Sequence, residues 1–285
     1  ISRVDDGDTW CFNISGYGEK TPFEFTGFEI AEANEIRTVI KGNYRFRDSL
    51  LEMYYKFYER ESYLDISYRV NWNEKHRAFK LECETTEKTL FPAVPYGFVE
   101  RGERAADVPM SGWMNAGNTG IIADGIFSYD FSGGKIGLTV LRSPIHGDLR
   151  IGELPPAVDY DFLSQGVNEG KLRLLFGKAD PEKADAFMNP PVVIAESPHD
   201  GELPSTLSFF SKQGEGVSLG CLKRCEFDNS VILRFCEYRG KNAEITFSFG
   251  GSEHRLSFSP FEIRTLKLEN GALSEIYMTE DGPLL

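Results

Sequence analysis

Polar and apolar residues alternate along much of the chain, the two-residue period of strands with one buried and one solvated face. In Tyr63-Leu64-Asp65-Ile66-Ser67-Tyr68-Arg69-Val70-Asn71-Trp72, Leu64, Ile66, Tyr68, Val70 and Trp72 fall on one face, and Asp65, Ser67, Arg69 and Asn71 on the other. Lys135 to Arg142 is a short apolar run between Ser132-Gly133-Gly134 and Ser143-Pro144; turn chemistry on both flanks predicts a buried strand. Strand-sized runs follow at Val217 to Leu222, Val231 to Tyr238, Ala243 to Phe249, Arg255 to Ser257 and Glu262 to Leu268. Their separation by Gly, Asn or Pro at short intervals predicts a β-sandwich. Helical stripes are scarce. Pro181 to Met188 is the best helix candidate, with Pro in its first turn and Asn189-Pro190-Pro191 forbidding continuation. Residues 146–161 read as a loop, and a boundary near 189 divides the chain into domains 1–188 and 189–285.

Composition supports an all-β reading. The 22 Phe, 12 Tyr and 3 Trp, together with 28 Gly, favour strands and turns over helices. A net charge of −13 repels phosphate backbones and anionic headgroups, so no nucleic acid and no membrane partner is expected, and a neutral ligand such as a carbohydrate remains open. No apolar run approaches the roughly 18 residues of a membrane helix. Five cysteines are too few for a disulfide scaffold and odd in number, which points to a reducing, cytoplasmic location.

Candidate chemistry is sparse. His76, His146, His199 and His254 lie far apart and form no local zinc motif, so each reads as a surface or satisfied core histidine. Cys221 and Cys225 on one strand would stand about 13 Å apart at ~3.3 Å per residue, too far to share an ion. If Asp228-Asn229 forms a two-residue turn, Cys221 and Cys236 become cross-strand neighbours, as two reduced cysteines or a disulfide. The acidic runs Asp5-Asp6-Gly7-Asp8 and Asp159-Tyr160-Asp161 offer paired carboxylates of the kind glycoside hydrolysis needs, or solvated loops. Nucleophile-elbow, phosphate-loop and dinucleotide motifs are missing.

Several strings, in order, resemble the C-terminal β-rich region of glycoside hydrolase family 38, the α-mannosidases. They are Asp8-Thr9-Trp10, Leu64-Asp65 through Val70-Asn71-Trp72-Asn73-Glu74-Lys75-His76 to Lys80, and Pro95-Tyr96-Gly97-Phe98-Val99-Glu100-Arg101. They continue with Leu138-Thr139-Val140-Leu141-Arg142-Ser143-Pro144 and Asp161-Phe162-Leu163-Ser164-Gln165-Gly166. Beyond these, Pro190 to Val193, Ser208 to Ser211, Leu222 to Arg224 and Val231 to Glu237 are similar to the family's terminal sandwich. The chain departs from the pattern where Asn168 and Gly177-Lys178 stand near family histidines.

The resemblance implies an antiparallel β supersandwich, galactose-mutarotase-like, followed by a smaller β-sandwich. It implies an accessory role: the zinc, the nucleophile and the general acid of a retaining α-mannosidase would sit in a catalytic barrel on which this part packs, with no catalytic residue and no metal site in the segment itself. The start at Ile1 rather than Met is expected of such a piece. Arg142, at the end of its strand, is the expected contributor to the sugar pocket, with a structural ion pair as its alternative. Tyr96 and Trp113 are candidates for stacking on a pyranose, with a core role as theirs. Expected partners are an α-mannoside oligosaccharide, the barrel, and a second copy of the chain if the bared interface self-associates. A stand-alone carbohydrate-binding or mutarotase-like protein is the second reading, and a purely structural module the third.

Overall fold

The computed structural model describes residues 1–5, 16–146 and 160–281. The chain is all-β apart from one helix among the described residues. It forms two compact units, one of residues 1–94 and 99–179, the other of 95–98 and 180–285.

The first unit is a sandwich of two antiparallel sheets. The larger sheet runs in the order Arg101–Gly102, Thr89–Val94, Trp113–Ala116, Thr119–Asp124, Gly166–Leu175, Tyr63–Trp72, Ser49–Tyr58, Arg37–Phe46 and Glu24–Ala33. The six-stranded sheet runs Arg104–Pro109, Ser128–Ser132, Lys135–Arg142, Arg77–Glu84, Ser2–Val4 and Lys20–Thr21. Alternation places Ile66, Tyr68, Val70 and Trp72 of the larger sheet against Phe79, Tyr129, Phe131, Ile136 and Leu138 of the other in one core. Trp72 is fully buried and stacks on Phe79 with ring centroids 6.1 Å apart. Both the Tyr63–Trp72 alternation and the Lys135–Arg142 strand therefore form as their sequences predict.

On the opposite face of the six-stranded sheet lies a charge. Lys80 follows Phe79 in its strand, so it points away from the apolar core, yet it too is 0% exposed. Its ammonium lies 2.5 Å from Asp107 Oδ1, bonds Asp130 Oδ1, donates to Thr139 Oγ1 at 2.8 Å and sits 4.5 Å over the Tyr17 ring. Asp107 Oδ2 in turn accepts from Tyr17 (2.9 Å), Thr139 (2.7 Å) and Ser128 (3.1 Å) hydroxyls. Gly137 makes this reach possible: a Cβ there would stand 2.7 Å from Asp130 Oδ1. The register irregularity between Arg104 and Val108 is where Asp107 departs from regular pairing, as bulges at sheet edges do.

The second unit packs the sheet Phe210–Gln213, Ala243–Phe249, Ser252–Phe258 on the sheet Val217–Arg224, Val231–Glu237, Ile263–Glu269, Ala272–Ile276. Val217, Leu233, Phe235, Ile245, Phe247 and Leu266 fill its core. Helix Pro181–Met188 starts at Asp180, whose carboxylate caps the Lys183 N–H at 2.9 Å, and buries Ala184 and Phe187. Buried Glu237 accepts from the N–H groups of Arg239, Gly240 and Phe261 at 2.6–2.8 Å, which ties together two turns.

The expected Cys221–Cys236 juxtaposition does not occur. Cys225 N–H bonds Ser230 O at 2.9 Å, closing a four-residue loop over 226–229 instead of a two-residue turn. Asp228 causes this, because its Oδ1 accepts from the Ser230 N–H at 2.9 Å and stabilises the longer loop. That register sets Cys221 opposite Arg234, and a further irregularity between Leu219 and Cys221 sets Cys236 opposite Ser218. Cys83, Cys221, Cys225 and Cys236 are all free thiols.

Two measurements test this packing. Replacing Lys80 by Met strands two buried carboxylates, so urea unfolding should show a loss of about 3–5 kcal/mol; a loss no larger than that of a surface substitution would refute the network. Burial pushes the Cys83 and Cys236 thiols up to about 11 from 9.0. Because the thiolate is the nucleophile, alkylation of both at pH 8 should be about a hundredfold slower in the native chain than in urea, read by peptide mass mapping.

Candidate functional site

Three strings far apart in sequence meet at one corner of the first unit. Trp72 ends its strand, and His76, in a left-handed conformation (φ 53°), turns the chain into Arg77–Glu84. Ser143 receives this turn: its hydroxyl accepts from Trp72 Nε1 at 3.1 Å and donates to Arg77 O at 2.9 Å, while its carbonyl accepts from His76 N–H at 2.9 Å. From the third string, Phe162 packs edge-on against the His76 ring at 5.0 Å, beneath the Lys75 ammonium at 4.9 Å. Gln165 Nε2 donates to Glu74 O at 2.8 Å, and Leu163 N–H to Pro144 O at 3.1 Å. Thus 70–80, 138–144 and 161–166 are cross-linked by their own polar groups.

Arg142 closes this corner. Its Nε and Nη2 donate to Asp5 Oδ2 and Oδ1 at 2.7 and 2.9 Å, a two-point fork. The Asp5 carboxylate is fully buried and the Arg142 side chain keeps 17% of its surface in contact with solvent. Burial works against the guanidinium charge, but Asp5 outweighs it, with Tyr17 and Asp107 adding to the effect, and Arg142 is held above the ordinary arginine range. Tyr17 is pushed up strongly, first by burial and then by Asp107. One chain of polar groups therefore runs from Asp5 through Arg142 and Tyr17 to Asp107 and Lys80. Nothing in the sequence marked Asp5 as the partner of a residue 137 positions away, and Tyr17 gave no signal.

The other two candidates are placed differently. Trp113 is 5% exposed, so its ring has no open face for a sugar. Tyr96 belongs to the second unit, is 37% exposed and has a left-handed backbone (φ 61°). Its carbonyl accepts from Cys236 Sγ at 3.0 Å. Arg142 and Trp113 lie in different sheets of the first unit. Asp8-Thr9-Trp10 lies outside the described residues, as does Asp159. Among the described residues no three His, Cys, Asp or Glu side chains are grouped to hold a metal ion.

Comparison with known proteins gives this corner a context. No curated protein matches the chain. The fold is that of a protein of glycosyl hydrolase family 38 from Enterococcus faecalis (TM-score 0.76, 16% identity), over 94% of this chain and 39% of that one. An α-mannosidase from Enterococcus faecalis V583 aligns similarly (TM-score 0.74, 14% identity), over 94% and 38%. The chain thus spans about two fifths of the length of these relatives. The sequence model of the glycosyl hydrolases family 38 C-terminal domain matches residues 2–150, which include Arg142 and the Trp72-to-Lys80 string. By that match over more than half its length, the chain belongs to the glycosyl hydrolase family 38 C-terminal domain family.

Proposed function

We propose that this chain is the accessory part of an α-mannosidase, packing on a catalytic domain and completing the rim of its sugar pocket with Arg142. The observation that carries the proposal is the family membership together with the coverage, which leaves about three fifths of each relative's chain outside the region aligned here. Surface chemistry supports it. The edge strand Glu24–Ala33 is almost wholly exposed, with Phe25, Phe28 and Ile30 at 55–67% exposure, a contiguous apolar face of the kind that packs on a neighbour. Hydrolysis of terminal α-mannosides, a retaining course and a zinc ion belong in this reading to the catalytic domain. The free thiols among the described residues suit a reducing compartment, and among the described residues no helix is long and apolar enough to cross a membrane.

In this reading Arg142 acts as a positioned cation. Its orientation is held by Asp5, and a guanidinium fixed in this way meets sugar hydroxyls without searching rotamers, which reduces the ordering cost of binding.

The isolated chain should not release nitrophenol from a chromogenic α-mannoside; turnover that survives chelation would overturn the accessory role in favour of a self-sufficient carbohydrate-active protein. In the same chain joined to its catalytic domain, Arg142→Lys keeps a charge beside Asp5 but loses the fork. Its kcat/KM should fall about ten- to a hundredfold, the worth of a charged hydrogen bond, with little change in unfolding midpoint. An unchanged kcat/KM would reduce Arg142 to a structural ion pair.

A further inference from the structure

The two sheets of the first unit are joined at one open side. Arg101–Gly102 is the terminal strand of the larger sheet, Arg104–Pro109 the terminal strand of the six-stranded sheet, and Glu103 alone links them. A cleft of about 570 Å³ opens there, bounded by Arg101, Glu103, Arg104, Asp107 and Tyr129. It is large enough for a small molecule.

Most acceptors around this cleft are engaged. Asp107 Oδ1 takes the Lys80 ammonium, and its Oδ2 takes three hydroxyls. Glu103 Oε2 accepts from Gly133 N–H at 3.2 Å, and Pro109 O from Arg101 Nη1 at 3.3 Å. The donors are largely free. Arg101 uses one N–H of five, and Arg104, exposed, has no hydrogen bond or ion pair among the described residues. The Tyr129 hydroxyl is buried, its residue 1% exposed, and it has no hydrogen-bond partner, a rare condition for a buried polar group. It lies near Arg101: burial pushes the phenol up, and the charge of the guanidinium and an N–H directed at the phenol oxygen oppose the push, which leaves the O–H hydrogen as the spare donor. On a chain of net charge −13, neither guanidinium has an ion pair among the described residues, so beside the buried hydroxyl the cleft sets two positive charges against the one Glu103 carboxylate.

We propose that this cleft binds a small oxyanion, a carboxylate or phosphate group, gripped by Arg101 and Arg104 and accepting from the Tyr129 hydroxyl. The planar forks of arginine match such groups in two-point geometry, and an acceptor ligand complements a cleft whose spare groups are mostly donors. The site rests on residues of this chain alone, whatever its part in glycoside hydrolysis.

Calorimetric titration of the chain at low salt with inorganic phosphate, with glucuronate and with mannose tests the assignment. At least one of the two oxyanions should bind saturably, mannose should give no heat at the cleft, and the tighter oxyanion identifies the ligand class. Arg104→Met, which removes no internal contact, should weaken that binding about tenfold or more. Tyr129→Phe should also weaken it with little change in the unfolding midpoint, because the O–H has no internal acceptor to lose. No heat from either oxyanion at millimolar concentration, or equal binding by the Arg104→Met variant, would overturn the proposal.

Discussion

A single ammonium group organises the first unit. Lys80 donates to groups on three other strands of the six-stranded sheet: Asp107 on Arg104–Pro109, Asp130 on Ser128–Ser132 and Thr139 on Lys135–Arg142. A fully buried cation is tolerated only when its desolvation is offset by opposite charge and by hydrogen bonds to every proton. Two carboxylates leave one negative charge in excess, and the Tyr17, Ser128 and Thr139 hydroxyls around Asp107 disperse it. The sheet thus has apolar packing on the face of Phe79 and a closed polar network on the other. Register slips are resisted on both faces, because a one-residue shift would bring Lys80 into the apolar core.

From that network the organisation of the corner follows. Tyr17 touches Asp107, and its environment includes Arg142 and Asp5. Arg142 is fixed by Asp5, and Ser143, its neighbour, holds the turn from Trp72 to Arg77. A side chain offered to a ligand is useful only if its supports are rigid, and here each support is itself buried or cross-linked. The second unit uses the same device on a smaller scale, with the buried Glu237 carboxylate gathering backbone N–H groups instead of a cation. In both units, buried charge does what the short strands and glycine-rich turns cannot do by themselves: it fixes loops in one arrangement.

The strings that make this chain resemble its family are mostly joints. Trp72, His76, Ser143, Phe162 and Gln165 contact one another or the same turn, Lys80 anchors the strand that follows it, and Arg142 adds a charged group fixed by Asp5. The pattern is legible in sequence because each joint needs a particular side chain: an indole N–H, a hydroxyl that both accepts and donates, an aromatic edge.

The alternation of apolar and polar residues by itself determined the strand from Tyr63 to Trp72, turn residues bounded the apolar runs from Lys135 to Arg142 and from Ala243 to Phe249, and Pro181 with Asn189-Pro190-Pro191 bounded the helix. These signals are local, set by a two-residue period and by the chemistry of proline and capping groups. The hairpin after Arg224 was misjudged at the same local level, since the Asp228 side chain chose a four-residue loop and moved Cys221 away from Cys236. Only the tertiary structure decided that Lys80 would find Asp107 and Asp130, that Asp5 would hold Arg142, and that Tyr129 would be buried with its hydroxyl unpaired. Those pairings join residues 27, 50 and 137 positions apart. Electrostatic attraction acts through space and leaves no period in the chain, so charged residues that read as solvated in sequence became the buried framework of the fold.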